Sequence, residues 1–118
     1  MKPKNQRKKY KERHPNNLDW PATLEDAVEK LLIFLDTTQK DKLREISKED
    51  LVCDFGLLMW VRNQFGLWAG NKKLLEDCAI FSNELFVSDK EVFYFISADD
   101  ASGIILEQTW KKLQDEQT

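Results

Sequence analysis

The stretch that most constrains the fold is SKEDLVCDFGLLMWVRNQF, residues 47–65. Read as one helix opened by Ser47, it carries Leu51, Val52, Phe55, Leu58, Met59 and Phe65 on one broad stripe. Leu57, Trp60 and Val61 fall off that stripe, so the helix is apolar on most of its sides. Such a helix belongs in the middle of a bundle rather than at its edge.

The neighbouring segments fit the same architecture. Trp20-Pro21 precedes TLEDAVEKLLIFLD, in which Thr23 is placed to cap a helix and acids occupy the first turn. Leu24, Ala27, Val28, Leu31, Leu32, Phe34 and Leu35 gather on one side, and Ile33 points the other way. TTQKDKLREIS predicts a short helix capped by Thr37 or Thr38. Ser47 is followed three residues later by Asp50, a weak form of the capping box. Gly70-Asn71 predicts a stop followed by a new helix with Asn71 as its cap, and Ser97 caps the last helix, which runs to about Gln114. Its apolar face is Ile105, Leu106, Thr109, Trp110 and Leu113. Between these two helices, ELFV and VFYFI flank a polar turn. The pattern fits a short β-hairpin at residues 85–96, with a helix continued through Leu85 as the competitor. The expected fold is therefore mainly α, a compact bundle of four to five helices.

Charge divides the chain. Residues 1–14 hold seven Lys and Arg against Glu12, a net of +6; the whole chain is −3, which leaves −9 for the remainder. Residues 1–17 are predicted to be a basic flexible arm with Tyr10 as its one sizeable apolar group, and residues 18–118 a single helical domain. No run of eighteen apolar residues exists and no apolar stretch follows the basic start, so neither a membrane span nor a secretory signal is expected. Cys53 and Cys78 lie far apart without a CxxC or a nearby histidine. They are expected to be buried free thiols in a cytoplasmic protein, with no metal and no cofactor.

The stretch RNQFGLWAGN, residues 62–71, mixes polar, glycine and aromatic residues as binding loops do, but lacks the spacing of a phosphate cradle. Gly66 suits a left-handed helix stop, Leu67 the apolar contact that follows it, and Trp68 a cover over the corner. Arg62 falls within the apolar stripe, where a guanidinium needs a partner. Asp99, Asp100 and Asp54 are the candidate carboxylates, and stranding one by removing Arg62 is expected to cost on the order of 2–4 kcal/mol.

Together WPATLEDAV, FGLLMWVRNQFGLWAGN and DDASGIILEQTWKKL resemble a family of small bacterial proteins, domain of unknown function 6794. The resemblance covers residues 20–78 and 97–113. It implies a bacterial origin and no particular activity. Relatives pass almost directly from the Gly-Asn helix to a His-Pro-Asp-Asp-Ala-Ser segment. This chain has Ile-Ser-Ala-Asp-Asp-Ala-Ser and extra length at 79–96, which removes that histidine and any role it has.

The one histidine, His14, sits in the arm, so the body lacks a Ser-His-Asp or Cys-His set. The expected function is a non-enzymatic cytoplasmic protein-binding module. One concrete form is an immunity or antitoxin protein that covers a basic toxin surface. The aromatic residues Phe93, Tyr94 and Phe95 are its expected contact residues. One alternative is a nucleic-acid-associated protein using Lys8, Lys9, Lys11 and Arg13. The other is a small carboxylate-dependent enzyme.

Overall fold

The computed structural model describes residues 20–51, 55–87, 92–94 and 96–115. Among these, six helices form: α1 Leu24–Phe34, α2 Thr37–Glu45, α3 Lys48–Leu51, α4 Phe55–Gln64, α5 Lys72–Ser82 and α6 Ala98–Asp115. Two three-residue strands, β1 Leu85–Val87 and β2 Val92–Tyr94, pair antiparallel with Phe86 opposite Phe93. The basic arm lies outside the described residues.

The bundle is organised around α6, and this corrects the sequence expectation. Every other helix packs on α6, the longest, whereas α4 occupies a side position. The reason is size rather than hydrophobicity. Ala101, Ser102 and Thr109 are fully buried on α6 beside Ile105, Leu106 and Leu113. Short side chains let several neighbouring helices approach one axis, and the two hydroxyls are satisfied locally. Ser102 Oγ donates to the Asp99 carbonyl at 2.8 Å and Thr109 Oγ1 to the Ile105 carbonyl at 2.8 Å. Two longer side chains reach from α6 to the end of α2 and the residue after it. Trp110 Nε1 donates to the Ile46 carbonyl at 3.1 Å and Gln114 Nε2 to the Arg44 carbonyl at 3.0 Å.

The single helix expected at 47–65 is described as α3 and α4, with 52–54 outside the description. Among the described residues the burial departs from the expected stripe at two positions. Val61, expected off it, is fully buried, while Met59, expected on it, is about half exposed. On α1 most of the expected face is kept: Leu24, Ala27, Val28 and Leu31 are buried and Ile33 is 82% exposed, but Phe34, expected on that face, is 44% exposed.

Helix ends follow from side-chain chemistry. Thr23 Oγ1 accepts from the Asp26 N–H at 3.1 Å. The cap of α2 is Asp36, not Thr37 or Thr38. Its carboxylate accepts from Gln39 N–H at 2.8 Å, and Gln39 Oε1 accepts from Asp36 N–H at 2.9 Å, a reciprocal capping box. A carboxylate beats a hydroxyl here because it also meets the positive end of the helix. Asp36→Ala is expected to cost about 1 kcal/mol, read as a shift in the urea midpoint. At its far end α5 stops at Asn83, whose φ of 61° is left-handed; Glu84 N–H then reaches the Ala79 carbonyl at 2.8 Å. That turn ends the helix before Leu85.

Candidate functional site

The corner at residues 62–71 begins where α4 can no longer continue. Leu67 N–H bonds the Arg62 carbonyl at 3.1 Å and Gly66 N–H the Asn63 carbonyl at 3.4 Å, the paired bonds of a Schellman stop. Gly66 has φ +70°. A side chain at that position would enter the Trp20 ring. The tryptophan that covers the corner is therefore Trp20, from forty-six residues earlier. Trp68, expected in that role, is 64% exposed.

Asn71 joins three segments. Its Oδ1 accepts from Leu74 N–H at 3.3 Å at the start of α5. Its Nδ2 donates to the Phe65 carbonyl at 2.7 Å, at the end of α4, and to the Pro21 carbonyl at 2.9 Å, before α1. The whole residue is buried. A second link is Asp77 on α5, whose carboxylate accepts from Leu24 N–H at 2.6 Å and so caps α1 from outside its own segment. Sequence reasoning passed over Asp77, because nothing in its local spacing marks a partner fifty-three residues away.

Arg62 sits at the edge of this corner. Its guanidinium pairs with Asp99 in the first turn of α6 and lies over the Trp68 ring, 5.0 Å from the centroid. Arg62 is 18% exposed and Asp99 66%. Asp100 is exposed; its backbone N–H donates to Ser97 Oγ at 3.1 Å, while Ser47 Oγ accepts from Asp50 N–H at 3.2 Å. Asp54 lies outside the described residues. Because Asp99 stands mostly in water, removing Arg62 strands no buried charge. Arg62→Met is expected to cost about 1 kcal/mol, and Arg62→Ala about 2 kcal/mol, since alanine also removes the packed stem. Thermal unfolding of the two variants checks the order.

Phe34 and Trp60 form the most distinctive apolar surface. Their rings stack with centroids 3.8 Å apart, and Phe65 meets Trp60 edge-on at 5.6 Å. They line a groove of about 490 Å³ with Leu35, Leu43, Ile46 and Leu57, its polar lining being Gln39 and Lys42. Next to them in the chain, Ile33 and Met59 are largely or half exposed. Sequence analysis placed Phe34 on the inner face of its helix; only the approach of α1 and α4 brings its ring onto Trp60.

Of the expected contact residues, Phe93 and Tyr94 lie on β2 and Phe95 lies outside the described residues. Phe81, from the same extra length, is 55% exposed on α5. A second groove runs between α3, α4, the end of α5 and the start of α6. Leu58 and Ile104 lie on its floor and Glu84, Asp99, Asp100 and Glu107 along its rim. Glu107 is shared by Lys48 at 3.1 Å and Lys111 at 3.6 Å. Glu84 and Asp100 make no ion pair to the described residues.

Cys78 is a buried free thiol whose pKa is pushed up from its ordinary 9.0 to about 12, first by burial and then by the neighbouring Asp77 carboxylate. It stays protonated and unreactive near neutral pH. Cys53 and the arm residues Lys8, Lys9, Lys11 and Arg13 lie outside the described residues. Among the described residues, no three His, Cys, Asp or Glu side chains come together as a metal site, and no helix is long and apolar enough to cross a membrane. No curated protein and no solved structure matches the chain. A family model does match, over residues 20–113, most of the described body; the chain belongs to that family, a domain of unknown function (DUF6794).

Proposed function

We propose that the protein acts by binding another protein through the face formed by Ile33, Phe34, Met59 and Trp60. The observation that carries this reading is the stacked Phe34–Trp60 pair at a groove, with Ile33 and Met59, their neighbours in sequence, also exposed. A clustered apolar surface with immobilised aromatic rings is what interface centres are made of. The partner is a basic protein surface in the cytoplasm, as an immunity or antitoxin protein would meet. The net of −9 outside the arm supports that choice, because an acidic body speeds and orients encounter with a basic partner. A hairpin at 85–96, carrying Phe93, Tyr94 and Phe95, would supply a second contact element.

The test is co-purification with the product of the adjacent gene. Ile33→Glu and Met59→Glu change exposed positions and leave the core intact. A complex formed by the wild-type chain, weakened by salt and lost in the double variant, supports the reading. A complex of equal strength with both chains places the contact elsewhere.

A further inference from the structure

We propose that the basic segment at residues 2–13 docks, within its own chain, on the acid-rimmed groove between α3, α4, the end of α5 and the start of α6. This goes beyond the protein-binding face, from which it differs in location and chemistry.

Three observations converge. The first is charge. Residues 1–14 carry a net of +6, and the groove rim presents Glu84, Asp99, Asp100 and Glu107. Arg62 answers Asp99, and Lys48 and Lys111 share Glu107, but Glu84 and Asp100 have no cation among the described residues. The second is position. The segment joins the body at Trp20, whose ring lies against Gly66. Gly66 is about one helical turn from Arg62, and Arg62 holds Asp99 on the groove rim. Arg13 stands seven positions before Trp20, a reach of roughly 23–25 Å when extended, several times the rise of one helical turn. The third is the floor. Leu58 and Ile104 are half-buried, and Tyr10 is the segment's one ring able to cover them.

Docked this way, the segment is a built-in competitor. Any outside basic partner of the groove must first displace it, and salt loosens it.

Zero-length carbodiimide cross-linking of the full chain, followed by peptide mass spectrometry, tests the contact. At about 10 mM salt, links within the monomer are expected from Lys8, Lys9 and Lys11 to Glu84, Asp100 and Glu107, and they should fall away near 1 M. Links scattered evenly onto remote carboxylates such as Glu25, Asp41 and Glu45 overturn the proposal. Links found only between two chains overturn it in favour of a second copy. A second measurement uses Glu84→Gln with Asp100→Asn, two exposed positions whose change leaves the core intact. Trypsin should cut the basic segment severalfold faster in this variant than in the wild type at the same low salt. Equal rates overturn the proposal.

Discussion

Asn71→Asp is expected to destabilise the protein by about 4 kcal/mol, although aspartate is as good a helix cap as asparagine. The cap is the smaller part of what Asn71 does. Its Oδ1 serves Leu74 N–H, and an aspartate would keep that bond. Its Nδ2 serves the carbonyls of Phe65 and Pro21 at 2.7 and 2.9 Å, and a carboxylate has no hydrogen to offer either. Two buried carbonyls then lose their donor, at roughly 1–3 kcal/mol each, and face a negative oxygen as well. Asn71→Ala also loses the cap and should be comparably damaging. The measurement is the urea midpoint at constant slope. If the residue were a cap alone, aspartate would be neutral and alanine would cost about 1 kcal/mol.

Gly66→Ala is expected to cost about 3 kcal/mol, from two separable sources. An L-residue at φ +70° pays about 1–2 kcal/mol in backbone strain. The new methyl also enters the Trp20 ring, and overfilling a packed contact costs about 1–3 kcal/mol. A double-mutant cycle tells them apart. With Trp20→Ala already in place, the steric part disappears and Gly66→Ala should cost the backbone strain alone. A cost unchanged by the loss of Trp20 would mean that strain is the whole effect.

Both positions show how far the residues could be read in line. Gly66 as a stop and Asn71 as a cap are local matters, visible three or four residues either way. The rest of their work is done by Trp20 and Pro21, and no periodicity connects positions that far apart. The same division holds across the fold. The inner face of α1 and the outward Ile33 are legible because one helix's period decides them. The choice of α6 as the axis was not, because hydrophobic content points to the 47–65 stretch. Small residues decide which helix can be surrounded, and Ala101 and Ser102 look unremarkable in a string. For Arg62, position within an apolar stripe signalled the need for a carboxylate and narrowed it to three. It could not show that Asp99 would stand in water, which lowers the expected cost of losing Arg62. The Phe34–Trp60 stack was invisible for a different reason: each ring was assigned to its own helix, and the surface exists only where the helices meet.

The position of α6 has a consequence for how the protein is made. The helices that surround it are translated first, and all of them gain their largest shared contact only when it arrives. Leu31, Leu51 and Leu74 share one core with Ile105, Leu106 and Leu113, and that core is incomplete until those three have left the ribosome. At about 5–20 residues per second, the earliest of these leucines waits several seconds for that to happen. A chain truncated before residue 105 should therefore be open to protease and attractive to chaperones, and release of a chain that includes residues 105–113 should close it in one cooperative step.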